Sequence, residues 1–366
     1  MDSLDLKYFI SFLVGLGTSP LFILIPLYAK ELGATDMMLS VVVASFFAAS
    51  MLSYFIFGRY SDVRAVRKAL VVAGLLLLTI TLALHYFANT IDFLLLIRFI
   101  SGITAGVYTG PMLAYMSANK EYRTHLSSFY GFGSLGWAFG FFICTSLLKY
   151  FSFTEIFSIF SIPVFIAFLL STQIKKEKLE RIEVPLIPIA LIKRNFSLYT
   201  SFFIRHISAH AIFAFLPIFL LFLGAPKELI GPLFALNPIV QFFVMNSIPK
   251  LKWGSRAIFR AGFLLSTISF FVVALSPNYY FILIPMVLIG IGWSFLSVGA
   301  NLVLIERNIE KATVTGLLWG ISSLALIIGP IMGGALVVSF GLREMIFVAS
   351  AISFFALVIE VLLKKK

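Results

Sequence analysis

The sequence predicts an all-α integral membrane protein of about twelve transmembrane helices in two six-helix halves, with both termini cytoplasmic. Composition, the recurrence of long apolar runs, and residues that repeat at a fixed offset between the halves point to it. Of the 366 residues, 60% are hydrophobic and 12% charged, whereas soluble domains run near 45–50% apolar and about 25% charged. A soluble core has no use for so much apolar surface, which excludes a soluble enzyme with a tail anchor. A bilayer core takes about 20 apolar residues per helix. Such runs recur from end to end, and they are continuous. Strands of a transmembrane barrel would alternate, so backbone satisfaction in lipid requires helices.

Reading the apolar runs between charged residues places the first six spans near Leu6, Asp36, Ala69, Ile91, Ser128 and Thr154. The N-terminal MDSLDLKY carries two acids and one lysine and has no small-residue cleavage site after a short apolar core, so the first span reads as a retained helix. The polar stretch Thr172 to Arg194 follows the sixth span. Six more spans begin near Asn195, Leu229, Ala257, Tyr280, Thr313 and Leu342. The expected organisation is therefore an N-terminal half at 1–171, a cytoplasmic linker at 172–194 and a C-terminal half at 195–366. The single cysteine, Cys144, sits inside an apolar run, so the chain has no disulfide framework of its own.

Basic residues assign the sides. Twenty-two of the 28 Lys and Arg, among them Arg59, Arg64, Arg67, Lys68, the linker's six and Lys364 to Lys366, fall on one side of the spans. Four, Lys30, Lys149, Lys227 and Arg343, fall on the other, and two lie inside spans. The positive-inside rule makes the rich side, with both termini and the linker, cytoplasmic. This distribution also explains the net charge of +12 better than nucleic-acid binding does, since no single basic stripe forms.

The halves repeat. Pro26, Gly33 and Ala34 at the end of the first span recur as Pro217, Gly224 and Ala225 at the end of the seventh, an offset of 191. Gly136 and Gly140 of the fifth span recur as Gly329 and Gly333 of the eleventh, an offset of 193. Matching offsets in spans of equal rank indicate a six-plus-six duplication.

After the second span comes Gly58-Arg-Tyr-Ser-Asp62-Val-Arg64-Ala65-Val-Arg67-Lys68. It resembles the G-x-x-x-D-(R/K)-x-G-x-(R/K)-(R/K) loop of the major facilitator superfamily, with Val63 and Ala65 departing from the pattern. Lys250 to Arg256 echoes it in the second half. Arg98, Gly102 and Gly106 resemble the family's R-x-x-x-G-x-x-x-G element. Gly320 followed by Gly329-Pro330-Ile-Met-Gly333-Gly334 is similar to a motif that the family's antiporters carry in the fifth span. Here the fifth span has Gly136-Trp137-Ala-Phe-Gly140 and lacks the proline. The resemblance implies a secondary transporter working by alternating access. It also implies a gate of Gly58, Asp62, Arg64, Arg67 and Lys68 that holds the cytoplasmic side shut, Asp62 pairing with Arg64 or Arg67 or capping a helix. Gly102, Gly106, Gly329, Pro330, Gly333 and Gly334 read as helix-packing positions.

Ionisable groups inside spans are costly and mark pathways. Arg98 and Arg205 are suited to hold an anionic group, and His206 and His210, one turn apart, to carry a proton. The competing reading of each is a packing role satisfied by neighbours. A metal is the least favoured, for want of a third ligand. Asn237 and Gln241 share a face, and with Asn301 they suit hydrogen bonding to a solute or between helices. No carboxylate sits at mid-span, which disfavours organic cations. No phosphate-binding G-x-x-x-x-G-K-(S/T) loop occurs, so ATP drive within the chain is not expected. The expected function is efflux of drug-like or amphiphilic compounds across the cell membrane, coupled to an ion gradient such as the proton. Import or uniport of a small organic anion is the alternative, and a non-transporting receptor a third. No cofactor, metal or nucleic acid is expected, and the chain is expected to be a monomer among membrane lipids.

Overall fold

The structure is a computed structural model describing residues 3–118, 120–175 and 187–362. Among these the helices are α1 (Ser3–Glu31), α2 (Asp36–Arg64), α3 (Arg67–Leu84), α4 (Ile91–Met116), α5 (Tyr122–Leu147), α6 (Phe153–Ser171), α7 (Ile189–Arg194), α8 (Phe196–Phe222), α9 (Lys227–Ser247), α10 (Ser255–Leu275), α11 (Leu283–Arg307), α12 (Lys311–Phe340) and α13 (Leu342–Leu362). All but the short α7 are long and apolar enough to cross a membrane, twelve in number. Residues 176–186 of the expected linker and the terminal lysines 364–366 lie outside the described residues, as does the side chain of Asp36.

Helix ends follow local chemistry. Thr35 and Thr90 accept from the backbone N–H three residues on, capping α2 and α4, and Ser152 with Glu155 forms a reciprocal capping box on α6. α1 and α8 end alike. Gly33 (φ +83°) and Gly224 (φ +84°) are left-handed, and Ala34 N and Ala225 N each donate 2.9 Å to the carbonyl five residues back, Ala29 and Leu220. This glycine-dependent helix stop explains why Gly-Ala recurs at one spacing. The fifth span begins at Tyr122, six residues before the expected Ser128, because its polar first turn is tied down. Tyr8 Oη lies 2.8 Å from Nδ1 of buried His125, whose Nε2 is 3.9 Å from Glu121.

The chain divides into two compact units, 1–187 with 308–323, and 188–307 with 324–366. In the first unit α2 packs on α4, α1 on α5 and α6, and α3 on α4 and α6; in the second α9 packs on α11, α8 on α13, and α10 on α11 and α13. With lipid tails as apolar as leucine, these contacts rest on close packing. Phe219 and Phe270, both fully buried, fill the core of the second unit.

Two features carry predictions. Ala65, which ends α2, has φ +56°, the one left-handed residue other than glycine among those described. That conformation costs an L-residue about 1–2 kcal/mol. Ala65→Gly is therefore expected to raise the melting temperature of the purified protein; an unchanged or lower value would mean the strain is compensated. In the second unit Glu360 is fully buried at the end of α13, 2.7 Å from Arg256 Nε and 3.7 Å from Arg260, and accepts from Ser197 Oγ at 3.0 Å. Breaking a buried pair costs about 3–5 kcal/mol when the orphaned charge stays buried. The Arg256 and Arg260 side chains keep 18% and 29% exposure, so Glu360→Gln is expected to cost less, about 1–3 kcal/mol. Chemical denaturation in detergent measures it.

Candidate functional site

At the end of the first unit where basic residues gather, α2 meets the start of α12. Asp62 lies on the last turn of α2, inside the helix and not in a loop. Its carboxylate is fully buried. Oδ2 accepts from the backbone N–H of Thr313 at 2.8 Å and from its hydroxyl at 2.9 Å, while Oδ1 is 3.4 Å from Arg67 Nη2. Thr313 is in the first turn of α12, so Asp62 supplies a charged cap to that helix's positive end. Two further ties flank it. Arg59 Nη1 meets Glu310 at 2.5 Å, with the two side chains only 6% and 12% exposed, and Lys311 Nζ donates to the Ser117 carbonyl. Of the expected gate, Asp62 and Arg67 bond here, whereas Arg64 is exposed. Lys68 makes no ion pair among the described residues.

The motif glycines bring these backbones together. A Cβ on Gly58 would lie 2.5 Å from the Ala312 carbonyl oxygen, so α2 and α12 meet with no room for a side chain. Just inward, Trp319 Nε1 donates to Tyr130 Oη at 3.3 Å, and the Trp319 ring lies 6.4 Å from that of Tyr54. Gly102 and Gly106 seat α4 on Phe46, Ala49 and Ser53 of α2. On that same pair of helices the Arg98 guanidinium, only 5% exposed, lies 4.3 Å over the Phe46 ring and makes no hydrogen bond among the described residues. A cation–π contact of about 1–2 kcal/mol offsets little of the cost of burying a guanidinium.

In the second unit, α8 carries Arg205, His206 and His210. Arg205 Nη2 donates to Ser266 Oγ at 2.8 Å, and its guanidinium faces the rings of Phe270 (5.3 Å) and Trp293 (5.7 Å). His206 stacks on Phe202 at 3.8 Å and meets Trp293 edge-on at 5.2 Å. Its Nδ1 is 2.8 Å from the Phe202 carbonyl, which only accepts, so Nδ1 carries the hydrogen and Nε2 presents a lone pair without a partner. His210 Nε2 is likewise buried and unpartnered, and its ring is 5.9 Å from that of His206. Gly329 and Gly333 seat α12 against Ile207, His210 and Ala211, whereas Gly334 meets nothing nearer than a Phe215 ring atom at 3.6 Å. Pro330 lies within α12 between these glycines.

The remaining candidates partly satisfy themselves. Gln241 Nε2 donates to Asn237 Oδ1 at 2.6 Å, and Asn301 Nδ2 donates to Ser297 O at 2.9 Å, leaving Asn301 Oδ1 without a partner. Sequence reasoning missed Arg59 with Glu310, Thr313, and fully buried His85, whose Nε2 is unpartnered. The loop pattern leaves position 59 open and so gave no signal for the first, and a histidine at a span end offered none either.

The sequence matches the Major Facilitator Superfamily over residues 8–319. It is 24% identical over 355 residues to an uncharacterised MFS-type transporter of Methanocaldococcus jannaschii, covering 92% of this chain and 91% of the relative. Among solved structures, the human organic anion transporter MFSD10 (TETRAN) superposes with a TM-score of 0.77 at 15% identity, covering 98% of each chain, which shows a shared fold.

Proposed function

Because the chain belongs to the major facilitator superfamily, whose members are transporters and not enzymes, we propose that it exports an amphiphilic organic anion across the cell membrane by alternating access, coupled to an ion gradient. The observation that carries the charge preference is the pair of buried arginines, Arg98 in one unit and Arg205 in the other, neither of which meets a carboxylate among the described residues. A buried cation without a counter-charge is expensive, and an anionic solute removes that cost while it is bound. The aromatic rings around Arg205 and His206 suit the solute's apolar part. The fold-level match to a human organic anion transporter is consistent with this and carries no weight of its own. Outward direction rests on the resemblance of the Gly329-Pro330 segment to the antiporter motif.

In this reading the halves 1–171 and 195–366 open the two sides of the membrane in turn, and the termini, the linker and the ties at Asp62 lie on the cytoplasmic side. In this scheme the Asp62–Thr313 and Arg59–Glu310 contacts hold that side shut and break when it opens. His206, with its bare Nε2, and His210, whose Nε2 has no partner, are the proton carriers in this scheme, and Asn237, Gln241 and Asn301 contribute neutral contacts.

The test is proton movement in proteoliposomes, read with an internal pH dye, as benzoate, tetraphenylphosphonium and a neutral amphiphile are added in turn across an imposed pH gradient. Benzoate is expected to drive a proton flux that disappears in His206→Ala and His210→Ala. Transport of tetraphenylphosphonium in preference to benzoate would sink the anion reading, and benzoate crossing without protons would sink the histidine coupling.

A further inference from the structure

Arg205 and His206 are neighbours on α8 and face one ring. The Arg205 guanidinium lies 5.7 Å from the centre of the Trp293 ring on α11, and the centre of the His206 imidazole lies 5.2 Å from it. Both residues are buried, at 2% and 1% exposure, while Trp293 is half-buried. Each also holds a hydrogen-bonding atom that the fold leaves unused. Arg205 Nη2 donates to Ser266 Oγ at 2.8 Å, whereas its Nε is buried without a partner. The Phe202 carbonyl holds His206 as the Nδ1–H tautomer, which leaves Nε2 a buried lone pair with no donor to meet it. Phe202, stacked on the same imidazole at 3.8 Å, keeps the ring from turning. A buried cation and a buried acceptor, each without a complement, are costly. What relieves both at once is an anion and a hydrogen-bond donor joined by a scaffold flat enough to lie along an indole.

We propose that the solute of this site is an aryl carboxylate bearing an N–H or O–H donor, its carboxylate on Arg205, its ring along Trp293 and its donor hydrogen on His206 Nε2. This rests on the anion reading above and narrows it. A plain aryl carboxylate such as benzoate satisfies Arg205 but leaves the His206 lone pair empty. A site that bonds a solute's hydrogen discriminates against the analogue lacking it, because the acceptor then stays buried and unpaired. The arrangement also agrees with outward exchange. One lone pair accepts one hydrogen, so a proton held on Nε2 leaves to solvent before the solute's donor takes its place.

The test compares two probes of one shape on the full chain in detergent: indole-3-carboxylate, which has a ring N–H, and benzofuran-3-carboxylate, which has an oxygen in its place. Indole-3-carboxylate is expected to bind about tenfold tighter. That ratio should fall to near one in His206→Phe, which keeps a ring to stack on Phe202 and removes the lone pair. Arg205→Gln should weaken both probes at least tenfold and keep the ratio, since it acts on the carboxylate they share. There are four histidines in the chain, so with the rings labelled with 15N the His206 signal is assigned by its loss in His206→Phe. Its Nε2 should shift toward a hydrogen-bonded nitrogen with the indole probe and not with the benzofuran. Equal binding of the two probes by the wild-type protein overturns the proposal and leaves the anion reading standing. A ratio that survives His206→Phe overturns it as well, by placing the donor contact elsewhere. Should neither probe bind, the proposal falls, and the proteoliposome comparison of benzoate with tetraphenylphosphonium then decides the anion reading separately. If His206→Phe does not fold, the wild-type ratio and the response of the ring signals to each probe still distinguish these outcomes.

Discussion

Asp62→Ala is expected to slow transport at least tenfold while leaving the protein folded. The carboxylate accepts both the N–H and the hydroxyl of Thr313 and stands beside Arg67, with no exposure of its own. Losing a helix cap costs about 0.5–2 kcal/mol, and losing the buried charge contact with Arg67 adds a cost of similar or larger size. Together these weaken the closed arrangement of α2 and α12 by about 2–4 kcal/mol, a shift of more than tenfold in its population. Asp62→Asn keeps an acceptor for Thr313 and loses the charge, so it should fall between the two. A second readout separates gating from general damage. Ser117, 1% exposed and receiving the Lys311 ammonium at its carbonyl, lies under the same ties. With the native thiol removed by Cys144→Ala, a cysteine introduced by Ser117→Cys should react faster with an impermeant maleimide when Asp62→Ala is also present. Wild-type transport and unchanged labelling would show that Asp62 only balances charge.

Arg205→Gln is expected to act on the anion itself, with a loss of at least tenfold in transport efficiency. A charge-assisted bond to a buried carboxylate is worth about 1.5–3 kcal/mol or more. Arg205→Lys should restore little. Lysine has one compact charge, whereas the guanidinium donates to Ser266 and presents its flat face to Phe270 and Trp293 at once. The melting temperature is the control. A purely structural arginine would lower stability in both variants and leave the transport of the surviving folded fraction intact.

The spans, their number and their punctuation were legible because a helix in lipid must satisfy its own backbone, and long apolar runs leave no other solution. The Gly-Ala pairs at 33–34 and 224–225 were legible as a repeat for a local reason, the left-handed stop that both adopt. Asp62 was legible as part of a pattern, but its partner was not. Thr313 is 251 residues away, and nothing local to either residue encodes the meeting. The same holds for Arg59 with Glu310, since charged residues near span ends are common and most face water. Asn237 and Gln241 share a face as helical spacing requires, yet the same four-residue spacing also lets them bond each other, which they do.

What the sequence by itself determined is therefore what short-range physics dictates: twelve apolar helices, the recurring Gly-Ala helix stops, and the membership that the loop pattern announced. What only the tertiary structure decided is which polar side chains find partners once buried. Arg205 gains Ser266 and two aromatic faces, Arg98 gains only a ring, and His85 keeps an empty nitrogen. Burial makes the difference between a satisfied and an unsatisfied polar group worth several kcal/mol. Satisfaction depends on neighbours from distant helices, so no window of sequence contains it.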